Sequence, residues 1–317
     1  MEFSLRNWSR GRLTAGYEAW NRYFFSEMAV DSLALYRVFF CLVVFFEAMS
    51  WLPYSEELFS TEGFHVRYTF FSAQMSPLEA KAFVILLGVC SLSAAIGYYT
   101  RLNLVLTLVC YAFLHSVDFI NEKAVETIVM VVLSILIFSP CNRLYSLDVY
   151  LGRLQRREKG VVFFQRLLQW EFVQIYFFCG VTKMMTPEWP TGKVITDSLT
   201  GRWASDAGIW LSGLIPEWAI RGAGFGTIIF ELFVGVLLLT RPLRWLGVVL
   251  CLAFHLSIEI FLDIGSLGRQ FMAADLFLFF NPDRAAVFIR ALVPWGRHSL
   301  SRVRESVRRL RPAALNN

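Results

Sequence analysis

A lysine stands near the end of a long apolar stretch, in Gln174-Ile175-Tyr176-Phe177-Phe178-Cys179-Gly180-Val181-Thr182-Lys183, and Met184-Met185-Thr186-Pro187-Glu188-Trp189-Pro190-Thr191-Gly192 follows it. An ammonium at membrane depth is either paired or functional. Desolvation disfavours its charged form and brings the neutral amine, a usable base, within reach. A second polar set lies downstream, where His255, Glu259 and Asp263 recur at i, i+4 and i+8. That spacing predicts an imidazole and two carboxylates on one helical face, as partners for Lys183 or as a proton relay. Glu231, with Thr227 one turn earlier, calls for a cation such as Arg37, Lys183 or Arg166, because a buried carboxylate without a partner is strongly destabilising.

The element carrying Lys183 is predicted as a helix over 161–185. At 100° per residue Gln165, Gln169, Phe172, Tyr176, Gly180 and Lys183 share one polar and aromatic stripe, which gives the lysine a cavity to face. Glu171 and Gln174 project elsewhere, so this helix belongs inside a bundle rather than against lipid. The competing reading is that Lys183 snorkels to the interface beside Trp189.

Composition sets the class. Hydrophobic residues make up 56% and charged residues 17%, with 30 phenylalanines, against about 25% charged in soluble domains. The chain reads as an all-α integral membrane protein. Its six cysteines show no metal-site or disulfide spacing and read as small buried hydrophobes. No cleavable signal peptide is evident, since the first apolar run begins near Asp31 and contains Arg37. The net charge of +5 is concentrated toward the end, with eight arginines between Arg284 and Arg311, which fits a membrane face with anionic lipid better than nucleic acid.

A hydrocarbon core of about 30 Å needs roughly 20 residues per helix. About eight spans are expected, near 31–52, 78–99, 102–119, 123–140, 161–185, 218–240, 242–263 and 266–281. The last is short and carries Arg269 and Asp275, as a re-entrant or buried segment would. Residues 11–28, with Tyr17, Trp20, Tyr23, Phe24 and Phe25, read as an interfacial helix. Three regions result: an amphipathic segment 1–30, a bundle 31–281 and a basic tail 282–317.

Lys and Arg crowd the N-terminal segment, the 141–160 loop, the 240–245 turn and the tail. This asymmetry predicts an even span count and both termini in the cytoplasm. The opposite loops, 53–77 and 186–217, would roof a cavity between the helices. His115, Glu122, Lys123 and Glu126 read as structural or solvated charges. Gly222, Gly224 and Gly226 lack the context of a phosphate loop, and the 222/226 spacing predicts close helix packing. No hydrolase elbow or zinc helix is present.

Several stretches together resemble the transmembrane domain of the vitamin K-dependent γ-carboxylase superfamily, the HTTM (horizontally transferred transmembrane) domain. They are Leu35-Tyr36-Arg37, Phe138-Ser139-Pro140 running into Leu144-Tyr145-Ser146-Leu147-Asp148, Ile175-Tyr176 through Lys183 with Trp189-x-x-Gly192, Phe230-Glu231, and Ala253-Phe254-His255 with Met272-Ala273-Ala274-Asp275-Leu276-Phe277. The resemblance implies Lys183 as the base that deprotonates reduced vitamin K (a menaquinol or other hydroquinone), with O2 and CO2 as co-substrates. Carboxylases of that family also carry a large C-terminal domain for the peptide substrate, which a partner chain would have to supply here. The histidine their pattern places near the fourth span has no counterpart in Asn121-Glu122-Lys123-Ala124.

The expected catalytic residues are Lys183, His255 and Glu231; the expected cofactor contacts are Tyr176, Gly180, Trp189, Gly192 and Glu259; no metal is expected. The first functional reading, which rests on the resemblance, is a bacterial-type inner-membrane protein with a lysine-centred, quinol-dependent, carboxylase-like activity on a peptide or protein substrate. The second is a non-catalytic membrane protein that aids export, maturation or immunity of a secreted peptide. A transporter relay is the third, with no internal repeat to support it.

Overall fold

In the computed structural model, residues 15–65, 74–117, 124–279 and 287 are described. Glu122, Lys123, the first fourteen residues and nearly all of the basic tail lie outside them. A helix over 15–25 leads into strand β1 (Glu27–Ala29), which pairs antiparallel with β2 (Lys159–Val161), Met28 facing Gly160. The interfacial helix therefore ends at Phe25 and not at the expected 28, because the chain is captured by a strand from the distant basic loop.

Eight longer helices build the body: α1 (Asp31–Trp51), α2 (Pro77–Ile96), α3 (Thr100–His115), α4 (Ala124–Phe138), α5 (Phe163–Met185), and then, after α6 (Lys193–Thr200) and α7 (Asp206–Ser212), α8 (Glu217–Leu239), α9 (Arg244–Phe261) and α10 (Leu267–Leu278). Each of the eight apolar runs contains one of them. Among the described residues four helical stretches are long and apolar enough to cross a membrane: Asp31–Phe59, Pro77–Ile96, α8 and α9. α3 and α4 have 16 and 15 residues, and α10, with 12 residues, is only about 18 Å long. α5 has the length, with 23 residues, but Gln165, Arg166, Gln169, Glu171 and Lys183 dilute its apolar character.

Local chemistry fixes the helix ends. Ser76 and Glu79 form a reciprocal capping box with Pro77 in the first turn of α2. α2 stops at Gly97, whose φ of 83° is left-handed and where a Cβ would lie 2.6 Å from the Ser146 Cα. Only glycine serves there. The next helix is capped from a distance: the Asp148 carboxylate accepts from the Tyr99 and Thr100 amides (2.9 and 3.0 Å) and from the Thr100 hydroxyl. Arg37, fully buried, donates Nη2 to the Tyr145 carbonyl at 2.5 Å, while the Tyr145 hydroxyl donates to Asp31 at 2.6 Å. The Leu-Tyr-Arg and Leu-Tyr-Ser-Leu-Asp stretches are thus halves of one clasp between α1, α2 and the 141–150 loop.

Contacts along the helices alternate in direction. Gly88 of α2 meets Met49 of α1, Gly235 of α8 meets Val173 of α5, and Phe277 of α10 stacks on Phe39 of α1. The basic segments near 22–30, 141–166 and 240–245 consequently gather at one end. A single large apolar core runs from Leu33 and Tyr36 through Phe172 and Tyr176 to Leu278 and Phe279.

Candidate functional site

α5 ends where Pro187 can no longer supply an amide, and the chain turns back through Trp189 N to Thr186 O (3.1 Å) and Gly192 N to Trp189 O (3.0 Å). Two glycines bring this turn and α8 together. A Cβ on Gly224 would lie 2.2 Å from the Trp189 carbonyl, and one on Gly180 would lie 2.9 Å from the Leu232 amide. The close helix contact thus falls on Gly224, not on Gly222 and Gly226, around which a Cβ would meet open space.

That approach sets Lys183 against Glu231. Nζ donates to Oε1 at 2.9 Å and lies 2.7 Å from Oε2, which receives no aligned hydrogen bond and keeps an open lone pair. The Trp189 ring centroid lies 4.9 Å from the ammonium. Pairing and the position beside Trp189 therefore occur together. The side chains are 19% and 8% exposed and Glu231 Oε2 itself is buried, so the pair is largely dry and Lys183 is the member that lines the cleft. It stands at the end of a cleft of about 560 Å³ lined by Gln174, Ile175, Phe178, Cys179, Thr182, Lys183 and Trp189.

Apart from Lys183, which belongs to both, the cleft lies on a different face of α5 from the predicted stripe. Gln165 and Gln169 both donate to the Leu278 carbonyl, at 2.8 and 2.5 Å, and Phe172 and Gly180 are packed. Wheel geometry groups these residues correctly, yet the group is helix cement rather than a cavity wall. Tyr176 belongs to a separate chain: its hydroxyl meets His255 Nε2 at 2.9 Å and donates to Asp275 Oδ2 at 3.0 Å, all three residues being buried. Among the described residues His255 Nδ1 and Asp275 Oδ1, at the two ends, have no nitrogen or oxygen hydrogen-bond partner, and the Cys251 thiol lies beside Asp275. The chain ties α5, α9 and α10 together through one phenol, whose proton goes to Asp275 and whose oxygen accepts from His255 in the Nε2–H tautomer.

The matching family is decided by the whole bundle: the HTTM domain matches residues 25–284. The chain belongs to the HTTM family. No curated protein and no solved structure matches it.

Within this HTTM bundle the remaining expected residues part company. Gly192 takes φ 79° and starts α6 against Ile220. Glu259 lies 3.4 Å from Arg269 Nε and packs on Gly268, apart from the cleft. Asp263 falls beyond the end of α9, exposed, with its amide on the Trp203 carbonyl. The expected face of one imidazole and two carboxylates is therefore broken, because α9 ends at Phe261, two residues short of Asp263. Glu231 takes Lys183 from among its three candidate cations. His115 is boxed by Trp51 and Tyr111. Glu126 is buried.

One polar centre was missed. Glu47 accepts from the Ser266 hydroxyl at 2.6 Å and from the Tyr111 hydroxyl at 3.5 Å, and Ser266 in turn accepts from Gln270 at 2.8 Å. The available signal was a carboxylate inside the apolar run Phe45-Phe46-Glu47-Ala48. All six cysteines are free, and Cys179 alone is not buried.

Proposed function

We propose that this HTTM protein crosses the inner membrane with about eight embedded helices, both termini cytoplasmic, and takes a proton from a lipid-soluble hydroquinone at the Lys183–Glu231 pair. The observation that carries the reading is an ion pair whose lysine lines the end of an apolar cleft, with a carboxylate oxygen free of aligned hydrogen bonds behind it. Ile175, Phe178, Cys179 and Trp189 suit an aromatic ring with an apolar tail, while Gln174, Thr182 and Lys183 suit its hydroxyls.

In the ionised pair the open lone pair is on Glu231 Oε2, and Lys183 is a donor. Glu231 accepts the phenolic proton, and the Lys183 ammonium holds the oxygen that loses it. The exclusion of water by Trp189 and the α8 backbone strengthens that attraction. A bound hydroquinone, with dioxygen and carbon dioxide, supplies the reducing and carboxylating chemistry for a peptide held by a partner chain.

The test is quinol oxidation and product carboxylation by the purified protein in liposomes with menaquinol, oxygen and bicarbonate. Turnover that Glu231→Gln abolishes supports the reading. Absence of both quinol turnover and quinol binding in the unmutated protein overturns it.

A second reading has its own observation: the pair also ties α5 to α8, as Gln165, Gln169 and Tyr176 tie α5 to its other neighbours. A non-catalytic HTTM protein in peptide export, maturation or immunity needs no more than that. In that case Lys183→Met with Glu231→Leu keeps both fold and biological function, since apolar replacement of a buried pair is often neutral.

A further inference from the structure

The basic end of the bundle holds cations that the proposed proton chemistry does not use. Arg166, in the first turn of α5, is only 9% exposed. Its Nη1 donates to Gln169 at 2.8 Å and its guanidinium lies 4.5 Å from the Tyr23 ring centroid, but its Nε has no partner. Arg244, opening α9, donates Nε to the Leu238 carbonyl at 2.8 Å and Nη2 to the Leu239 carbonyl at 3.4 Å, which fixes it at the end of α8. Arg241 lies exposed in the turn between them.

These three cations act on one another, Arg166 with Arg241 and Arg244 with both. Among the described residues no carboxylate pairs with any of them. Like charges gathered in a partly buried place, one of them with an unused donor, need an anion. The surroundings say where that anion comes from. Phe24 and Phe25 pack on Phe163 at 6.3 and 5.5 Å, fastening the 15–25 helix over the start of α5, and Trp20 of that helix is 59% exposed. Aromatics placed so sit at headgroup level.

We propose that Arg166, Arg241 and Arg244, roofed by Tyr23, bind a phosphate group, that of an anionic phospholipid headgroup. A guanidinium fork matches phosphate oxygens, and Arg166 Nε is the donor left for them.

The full chain, purified in detergent, is tested by native mass spectrometry and thermal unfolding with phosphatidylglycerol, phosphatidylcholine or inorganic phosphate. Phosphatidylglycerol is expected to be retained and to raise the unfolding midpoint, with phosphatidylcholine and inorganic phosphate doing neither. Arg241→Gln, exposed and safe for folding, should weaken retention about fivefold, and Arg166→Gln with Arg241→Gln further still. Arg156→Gln, in the neighbouring basic loop, should leave it unchanged. Equal retention by Arg241→Gln and the unmutated chain overturns the site. An equal shift from inorganic phosphate overturns the lipid as its source.

Discussion

At Lys183 the useful question is which atom of the ion pair can still accept a proton. An ammonium has none, whereas Glu231 Oε2 sits 2.7 Å away without an aligned hydrogen bond. The two possible bases make opposite predictions. With Glu231 as acceptor, Lys183→Arg retains part of quinol turnover because arginine keeps the charge, and Glu231→Gln loses it; a lysine base predicts the reverse, since arginine cannot deprotonate. Initial rates of the two variants distinguish them. Tyr176→Phe removes both bonds of the Asp275–Tyr176–His255 chain and should cost about 1–3 kcal/mol, read as a lower unfolding midpoint. The need of Lys183 for a carboxylate was legible in the sequence, but Glu231 was one of several candidates beside Glu259 and Asp263, and only the packing of α5 on α8 selects it. The tyrosine chain was not, because it joins residues 79 and 99 positions apart that no local period relates.

Among the elements, eight apolar runs announced eight helices, since 20-residue periodic hydrophobicity has few other outcomes. What the pattern could not convey was where partners intervene. α9 stops at Phe261, so Asp263 leaves the face it shares on a helical wheel with His255. The Leu-Tyr-Ser-Leu-Asp stretch looked like a motif and is a cap, its aspartate satisfying the first amides of α3. Glycine spacing misled in the same way: 222 and 226 fit the packing pattern, but the backbone contact is at 224. Substituting valine at Gly97, with its left-handed φ and its contact with Ser146, should destabilise by more than about 1 kcal/mol, while Gly222→Ala should not. Thermal unfolding in one detergent compares them directly.

For the molecule as a whole, the alternation of the eight helices brings the basic connections to one end and α6 and α7 to the other. That arrangement predicts sidedness. In a Cys179→Ala background, Leu214→Cys should react with a membrane-impermeant maleimide on intact cells, and Tyr150→Cys only after permeabilisation; both positions are exposed, at 62% and 46%. Labelling of both from outside would break the topology. Composition made the membrane class legible, but the cleft was not, because its α5 wall, at 174/178/182 and 175/179/183, has ordinary helical spacing and mixed residue types. The central claim is that a hydroquinone enters this cleft. Photocrosslinking with a diazirine-bearing quinone in liposomes tests it most directly. The account predicts crosslinks on the segment from Gln174 to Trp189, competed by unlabelled menaquinol; crosslinks elsewhere, or none that menaquinol displaces, would contradict it.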